Sequence, residues 1–171
     1  MSCTLSSGHQ LQCRSGVSGI RKLYISNFSD NETYTYDANN QITGITSGAT
    51  YYTFEQRPQA AEFNETINAS IENGTLWYLQ ELTMSFDKNE VSLRNQIALM
   101  AQAQLRVIAL DNNGTYNLIG RINGADITGG SLPRGKEFGS KNGATLTITA
   151  YEPQPSSFIS DAAFATLTIS A

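Results

Sequence analysis

Residues 73–103, NGTLWYLQELTMSFDKNEVSLRNQIALMAQA, change hydrophobic period part-way along, and that change decides the fold class. Leu76, Tyr78, Leu82, Met84 and Phe86 recur at period two on one face, with Trp77, Glu81, Thr83 and Ser85 on the other. That is the pattern of a half-buried strand. Asn73-Gly74, just before it, is a two-residue hairpin signal, because both central positions of the favoured turn need positive φ. The spacing therefore predicts a long hairpin, with Ala61 to Ile71 running back against the strand and its tip at Asn73-Gly74. Asp87 followed by Glu90 has a capping-box layout. Leu93, Ile97, Met100 and Gln104 then fall at helical spacing beside Ala98 and Ala101, which predicts one amphipathic helix over about residues 88–103, its body from Val91 to Ala103.

Strand patterns lie on both sides of this segment. Upstream, Ile20 to Ser26 has β-propensity with imperfect alternation, and Thr33 to Tyr36, Gln41 to Ile45 and Tyr51 to Glu55 read as short strands. Pro58 argues for an edge position or a break, since proline donates nothing to a ladder. Downstream, Leu105 to Leu110 and Thr115 to Arg121 flank the turn Asp111-Asn112-Asn113-Gly114, and Asp126 to Gly130 is short and glycine-limited. Pro133 to Asn142 reads as a loop. Ala144 to Tyr151 alternates Leu146, Ile148 and Ala150 with Thr145, Thr147 and Thr149. Residues 1–19, rich in Ser, Gly and Gln, read as an arm of the kind a neighbour orders. Residues 20–155 form the β domain, closed by Glu152-Pro153-Gln154-Pro155, and 156–171 form a tail or an added strand around Phe164 to Ile169. The expected core includes Leu76, Tyr78, Leu82, Met84, Phe86, Leu93, Ile97, Leu146 and Ile148.

The 171 residues suit one domain, which can bury a core without metals or disulfides. Charged residues are 15% of the chain, against a usual share of about 25%. Thr, Ser, Asn, Gln, Gly and Tyr replace them, residues suited to sheet surfaces and to surfaces that other subunits cover. The net charge of −4 and the 11 scattered Lys and Arg weigh against a nucleic-acid reader. They are compatible with a wall past which DNA slides. No apolar run is long enough for a membrane span, and the first nineteen residues lack the basic start and apolar stretch of a secretory signal. The sequons at Asn27, Asn31, Asn64, Asn68, Asn73 and Asn113 then read as by-products of Asn- and Thr-rich turns. Cys3, Cys13 and His9 fall short of a zinc set, which usually takes four ligands. Free thiols are the default reading for the cysteines, since a disulfide needs an oxidising compartment.

Catalytic patterns are missing. His9 is the sole histidine and sits in the polar arm, and no phosphate-binding glycine loop occurs. Gly129-Gly130 suits a bend or bulge, and Asp111 to Gly114 lacks the ligand spacing of a calcium loop. Asp30 with Glu32, and Glu62 with Glu65, read as solvated carboxylates. Tyr24, Tyr34, Tyr36, Tyr51, Tyr52, Trp77, Tyr78 and Tyr116 suit cross-strand packing or interface contacts, with a sugar-binding platform as the alternative. The chain is expected not to be an enzyme, with no cofactor, no metal and no small-molecule substrate.

The order of elements from Phe86 to Pro153 carries a resemblance. Arg94-Asn95 on the helix, the LDNNG turn at Leu110 to Gly114, Thr128-Gly129-Gly130, and FGSKNG leading to LTITAYEP look like tail-tube-type structural proteins of tailed bacteriophages, among them the ring proteins of crAss-like phages. The start CRSGVSGIRKLYI, Cys13 to Ile25, is similar in style. The resemblance covers about 75 residues well, and its motifs are structural. It implies a β-sandwich or half-barrel with one flanking helix, and a virion subunit of the tail tube or head–tail connector. Such subunits pair sheets into rings, commonly hexamers, around a DNA conduit. The implied partners are further copies of the chain, neighbouring virion proteins, and DNA as a non-specific passenger. The implied location is the virion, with assembly in the host cytoplasm. Tyr51, Tyr52, Phe54, Asn73 and Gly74 are the expected inter-subunit contacts. The segment after Pro155 departs from the family pattern and leaves tube and connector positions open. The rival classes are a β-sandwich carbohydrate-binding or adhesin module using Trp77 and Tyr51, and a small glycosidase or esterase.

Overall fold

A computed structural model describes residues 5 and 7–171. The chain is mainly β, with strands β1 Ile20–Asn27, β2 Thr33–Tyr36, β3 Ile42–Thr46, β4 Thr50–Glu55, β5 Glu62–Ser70 and β6 Thr75–Phe86 before helix α1 Val91–Gln102. Strands β7 Leu105–Asp111, β8 Tyr116–Ile119, β9 Ala125–Ser131, β10 Ala144–Glu152 and β11 Ser157–Ile159 follow, then the short helix α2 Asp161–Phe164 and β12 Thr168–Ser170.

Strand β7 organises the sheet. Along one side it pairs antiparallel with β1, which continues through β4 to β12. Along the other it pairs with β8, from which β11, β3 and β2 follow. At its first residue, Leu105, the same side meets Ala125 of β9, and the path continues through β10 and β6 to β5. Strands β8 and β9 thus share one flank of β7 and separate at residues 120–124, so the sheet divides into two layers at that corner.

Because β1 and β7 are covered on both faces, their apolar residues run almost continuously. That explains the imperfect alternation of Ile20 to Ser26. Leu23, Ile25, Val107 and Ala109 point into one core with Leu82, Met84, Ile119, Leu146 and Ile148, closed by Ile97 and Met100 of α1. Tyr24 and Ile108 point the opposite way, into a second core with Ile42, Ile45, Tyr51, Leu118, Ile159 and Ala163. Phe164 of α2 lies over that second core, stacked on Tyr116 with ring centroids 4.0 Å apart and 4.8 Å from Tyr24. The arrangement is one large mixed sheet folded around two cores with a flanking helix, consistent with the β-sandwich or half-barrel that the resemblance implied.

Several local expectations are corrected. The hairpin closes through the four residues Ile71 to Gly74 between Ser70 and Thr75, and only Gly74 has positive φ, at 61°. A longer loop built on right-handed residues needs a single left-handed position, and glycine supplies it. Asp87 does not cap α1. It forms an ion pair with Arg57, and the helix starts at Val91 behind Glu90, which makes no side-chain cap bond. Leu76 is 53% exposed rather than core, because β10 pairs with β6 only from Tyr78 onward. The domain does not end at Pro155. β11 lies between β8 and β3, and Phe164 to Ile169, read as part of a tail or an added strand, is the end of α2 followed by β12. Of the arm, residues 7–18 are exposed and carry no helix or strand. Cys13 is exposed, and its pairing with Cys3 lies outside the described residues. No helix among the described residues is long and apolar enough to cross a membrane.

Leu82 is fully buried where α1, β10 and β1 converge on one core. Leu82→Ala should therefore cost about 2–5 kcal/mol, the range for a buried leucine whose cavity cannot fully collapse. Urea unfolding followed by tryptophan fluorescence measures it, and a loss below about 1 kcal/mol would contradict this packing.

Candidate functional site

Two kinds of feature stand out, buried polar clusters and open surfaces. The deepest cluster surrounds Arg106 of β7, which is 2% exposed. Its Nη1 lies 2.6 Å from Glu32 Oε2 and donates to the Ser29 carbonyl at 3.0 Å, while Nη2 donates to the Arg121 carbonyl at 3.0 Å. Glu32 also accepts from the Tyr34 hydroxyl at 2.7 Å, the Tyr51 hydroxyl at 3.2 Å, and the Ser47 hydroxyl. The guanidinium lies 4.5 Å from the Phe28 ring centroid. Burial, reinforced by Glu32, pushes both phenols well above their ordinary range, so Tyr34 and Tyr51 stay neutral donors. The ion pair is closed over by its neighbours, and only Arg106 Nε of the guanidinium keeps no hydrogen-bond partner among the described residues. The cluster fastens the β1–β2 loop to β7, and it removes Glu32 from the solvated carboxylates.

A second cluster holds the corner at 120–124. Buried Glu152 accepts from the Ile122 and Asn123 amides at 3.0 and 2.9 Å. Gln80 of β6 is 1% exposed. It accepts from the Gly120 amide at 3.2 Å and donates to Glu65 at 3.0 Å, and Glu65 in turn takes the Ser156 amide at 2.8 Å. Glu65 is therefore a structural acceptor, while Glu62 and Asp30 are exposed. Gly120 has φ +69°, and a Cβ there would meet the Ala125 amide at 2.8 Å. Burial raises the Glu152 carboxyl above its ordinary range, only partly offset by the two amides.

Neither cluster contains histidine or cysteine, and among the described residues no group of three metal-ligating side chains forms. His9 is exposed in the arm, apart from any carboxylate cluster. The aromatic residues do not form one platform. Tyr51 and Tyr24 are buried, and Trp77 instead packs at a tilt against Tyr151, centroids 5.6 Å apart.

The surfaces are more open. Strands β2, β5 and β12 each have one unpaired edge. The inner face of the β5–β6 hairpin carries Phe63, Glu65, Ile67 and Ala69 opposite Leu82, Gln80, Tyr78 and Leu76. At its base this face is core. Beyond Gln80 it continues into solvent, with Ile67 65% and Leu76 53% exposed, and Ile71 at the tip 99% exposed. Away from the hairpin, a groove of about 530 Å³ opens between α1 and β4, lined by Ile25, Tyr52, Phe54, Leu99 and Met100.

The expected contact residues therefore divide. Asn73 and Gly74 are exposed at the hairpin tip, and Tyr52 and Phe54 meet in the groove beside α1. Tyr51 is corrected. Its side chain points into the second core and is fully buried, because neighbouring positions on a strand face opposite ways. Ile67 and Ile71 stand out in the sequence as sparse apolar residues of the polar stretch Ala61 to Ile71 but were not among the expected contacts, and Leu99 was not singled out. No protein-family model matches the chain, and a comparison with curated proteins gives no match.

Two substitutions test the clusters. Arg106→Leu leaves Glu32 buried and unpaired and should cost about 3–5 kcal/mol in unfolding free energy, with part regained when Glu32→Gln is added. Equal losses for the single and double variants would mean that the ion pair is not what holds the loop. For Glu152, a folded-state pKa above the unfolded one favours the fold at low pH and loses that contribution as pH rises through the folded value. Stability of the wild type minus that of Glu152→Gln should thus fall as pH rises above the ordinary glutamate range of about 4. A rising difference would reverse the assignment.

Proposed function

We propose that this chain is a virion structural subunit that assembles with copies of itself into rings of a phage tail tube or head–tail connector. The observation that carries the reading is the β5–β6 hairpin, whose core-side face runs on into solvent beside an unpaired nine-residue edge. A monomer gains nothing from such an edge, which invites pairing with another chain. In a closed ring each edge meets a neighbour, and cyclic symmetry leaves none open. The low charge supports the same reading, since covered surfaces avoid groups that are expensive to desolvate. The absence of a basic face suits a lumen that DNA passes without being held.

The function is then mechanical. The two-layered sheet supplies a stiff wall, α1 buttresses one core, and the hairpin and arm make the contacts. The resemblance of the stretch from Phe86 to Pro153 to tail-tube proteins points the same way.

Light scattering coupled to size-exclusion chromatography, with negative-stain images of the peak, tests this. The expected result is rings, or tubes that lengthen with concentration. A chain that stays monomeric at every concentration and fails to co-sediment with particles in a phage lysate would overturn the reading. Saturable glycan binding by that monomer, lost on Trp77→Ala, would replace it with the adhesin class.

A further inference from the structure

The charges of this chain are segregated along its sequence. Between Pro58 and Phe86 there is no Lys or Arg, while Glu62, Glu65, Glu72 and Glu81 lie on the β5–β6 hairpin or its tip. Before Asp30 there is no Asp or Glu, and Arg14, Arg21 and Lys22 stand there with His9. Lys22 is paired with Glu55 at 2.8 Å. Arg14 makes no ion pair among the described residues.

The arm also has a pattern. Leu5, Leu11, Cys13 and Val17 occupy odd positions, with only Ser7, His9 and Ser15 between them, and Gly8, Gln10, Gln12, Arg14 and Gly16 occupy even ones. In an extended conformation the apolar residues share one face and Arg14 lies on the other. Leu5 and Leu11 are fully exposed. The complementary surface is β5. Its outer edge is unpaired over nine residues, pairs with β6 in unbroken register, and carries no proline, lysine or bulge to discourage a further strand. Phe63, Ile67 and Ala69 lie on its apolar side, and Glu62, Asn64 and Thr66 on the other.

We propose that the arm of one copy adds to β5 of the next copy as an antiparallel strand. Setting Leu11 opposite Ile67 sets Arg14 opposite Asn64, with Glu62 two positions along on the same face and Glu81 across the ladder from Asn64. One register therefore sets Leu11 against Ile67 and Arg14 beside Glu62 together, with Cys13 opposite Glu65. The other basic stretch does not fit this edge. Arg134 bridges Asn142, Gly135 donates to the Lys141 carbonyl, and Glu137 lies among the cations, so that backbone is turned on itself.

The occupant is a second copy because the arm does not take the edge of its own domain, where residues 7–18 are exposed and form no strand. Val17 donates to Asn113 Oδ1 at 2.8 Å and accepts from Asn113 Nδ2 at 2.7 Å, and Asn112 Nδ2 donates to the Ser18 carbonyl at 2.8 Å. These bonds fasten the arm to the β7–β8 turn. A groove of about 1000 Å³, lined by the arm's base at Val17 and Ser18 and by Asn113, Glu62 and Phe63, stands open between that base and the start of β5. Arm to edge is a head-to-tail contact between different surfaces, the kind that generates rings when the rotation closes. The inference rests on the ring reading and names the two segments that make its interface.

Disulfide trapping of the full chain, in a background with Cys3→Ser and Cys13→Ser, tests it. A chain with Leu11→Cys is mixed with one carrying Ile67→Cys, oxidised, and run on a non-reducing gel. The expected product is a covalent heterodimer, and a chain carrying both substitutions should give a ladder of linked copies. Arg14→Glu should lower the yield several-fold at low salt, and Glu62→Arg in the other chain should restore it. Internal linkage of the double variant, at single-chain mass with both thiols blocked, would place the arm on its own β5 and overturn the proposal. Absence of any cross-link, with far-UV circular dichroism unchanged, would overturn it too. Light scattering on the same samples separates the two readings. Oligomers without cross-links remove only this arm contact, and monomers without cross-links remove the ring as well.

Discussion

The architecture turns on a corner of five residues, 120–124, where strands β8 and β9 separate and one sheet becomes two layers. A bend takes backbone amides out of the ladder, here with Gly120 and Gly124 buried and Ile122 and Asn123 at the surface, and an unpaired amide costs as much as a lost hydrogen bond where it is buried. Side chains from far away in sequence meet that need. Glu152 takes two amides, Gln80 takes a third, and Arg106 covers the Arg121 carbonyl. Two of these groups are held in turn by another, Gln80 by Glu65 and Arg106 by Glu32. The buried polar residues of this domain thus form a frame around one bend, which lets a chain with few charges spend several of them inside.

Much of the fold was legible because period is a strong signal. The alternation of Ala144 to Tyr151 and the helical spacing of Leu93, Ile97 and Met100 correspond to β10 and α1 nearly residue for residue. The misses have physical causes. Asp87 satisfies a capping pattern, but Arg57 reaches it from the β4–β5 connection, and a tertiary ion pair overrides the local cap. Tyr51 and Tyr52 look alike in sequence, and only the sheet's two-sided burial sends one into the core and leaves the other at the surface. Arg106, alone in the apolar run LRVIALD, was a visible hint that some carboxylate would be buried. Which one could not be read locally, because Glu32 lies in the β1–β2 connection, distant in sequence.

The candidate site was less legible than the fold, and for a related reason. A strand's outer edge is defined by what fails to pair with it, and pairing is a property of the whole sheet. The hairpin itself could be read from the alternation after Asn73-Gly74. That its apolar face outruns its cover could not, because β10 reaches only to Tyr78. The charge segregation between arm and hairpin, in contrast, needs no structure to see. It acquires meaning only once the acidic segment proves to be an open edge.

The placement of β11 bears on how the domain comes into being. The β2–β3 unit joins the rest of the sheet through Ile159, paired with Ile42, while β12 lines the edge of β4. Strands near the start of the sequence therefore wait for segments more than a hundred positions further on. Until positions 157–170 have left the ribosome, the second core lacks Ile159, Ala163 and Phe164, and Ile42 and Tyr51 have no lid. Long-range closure of this kind is slow, and it leaves apolar surface exposed while the chain waits. The nascent domain thus stays open over its second core until residues 157–170 are in place, and a chain interrupted before them would leave Ile42 and Tyr51 uncovered.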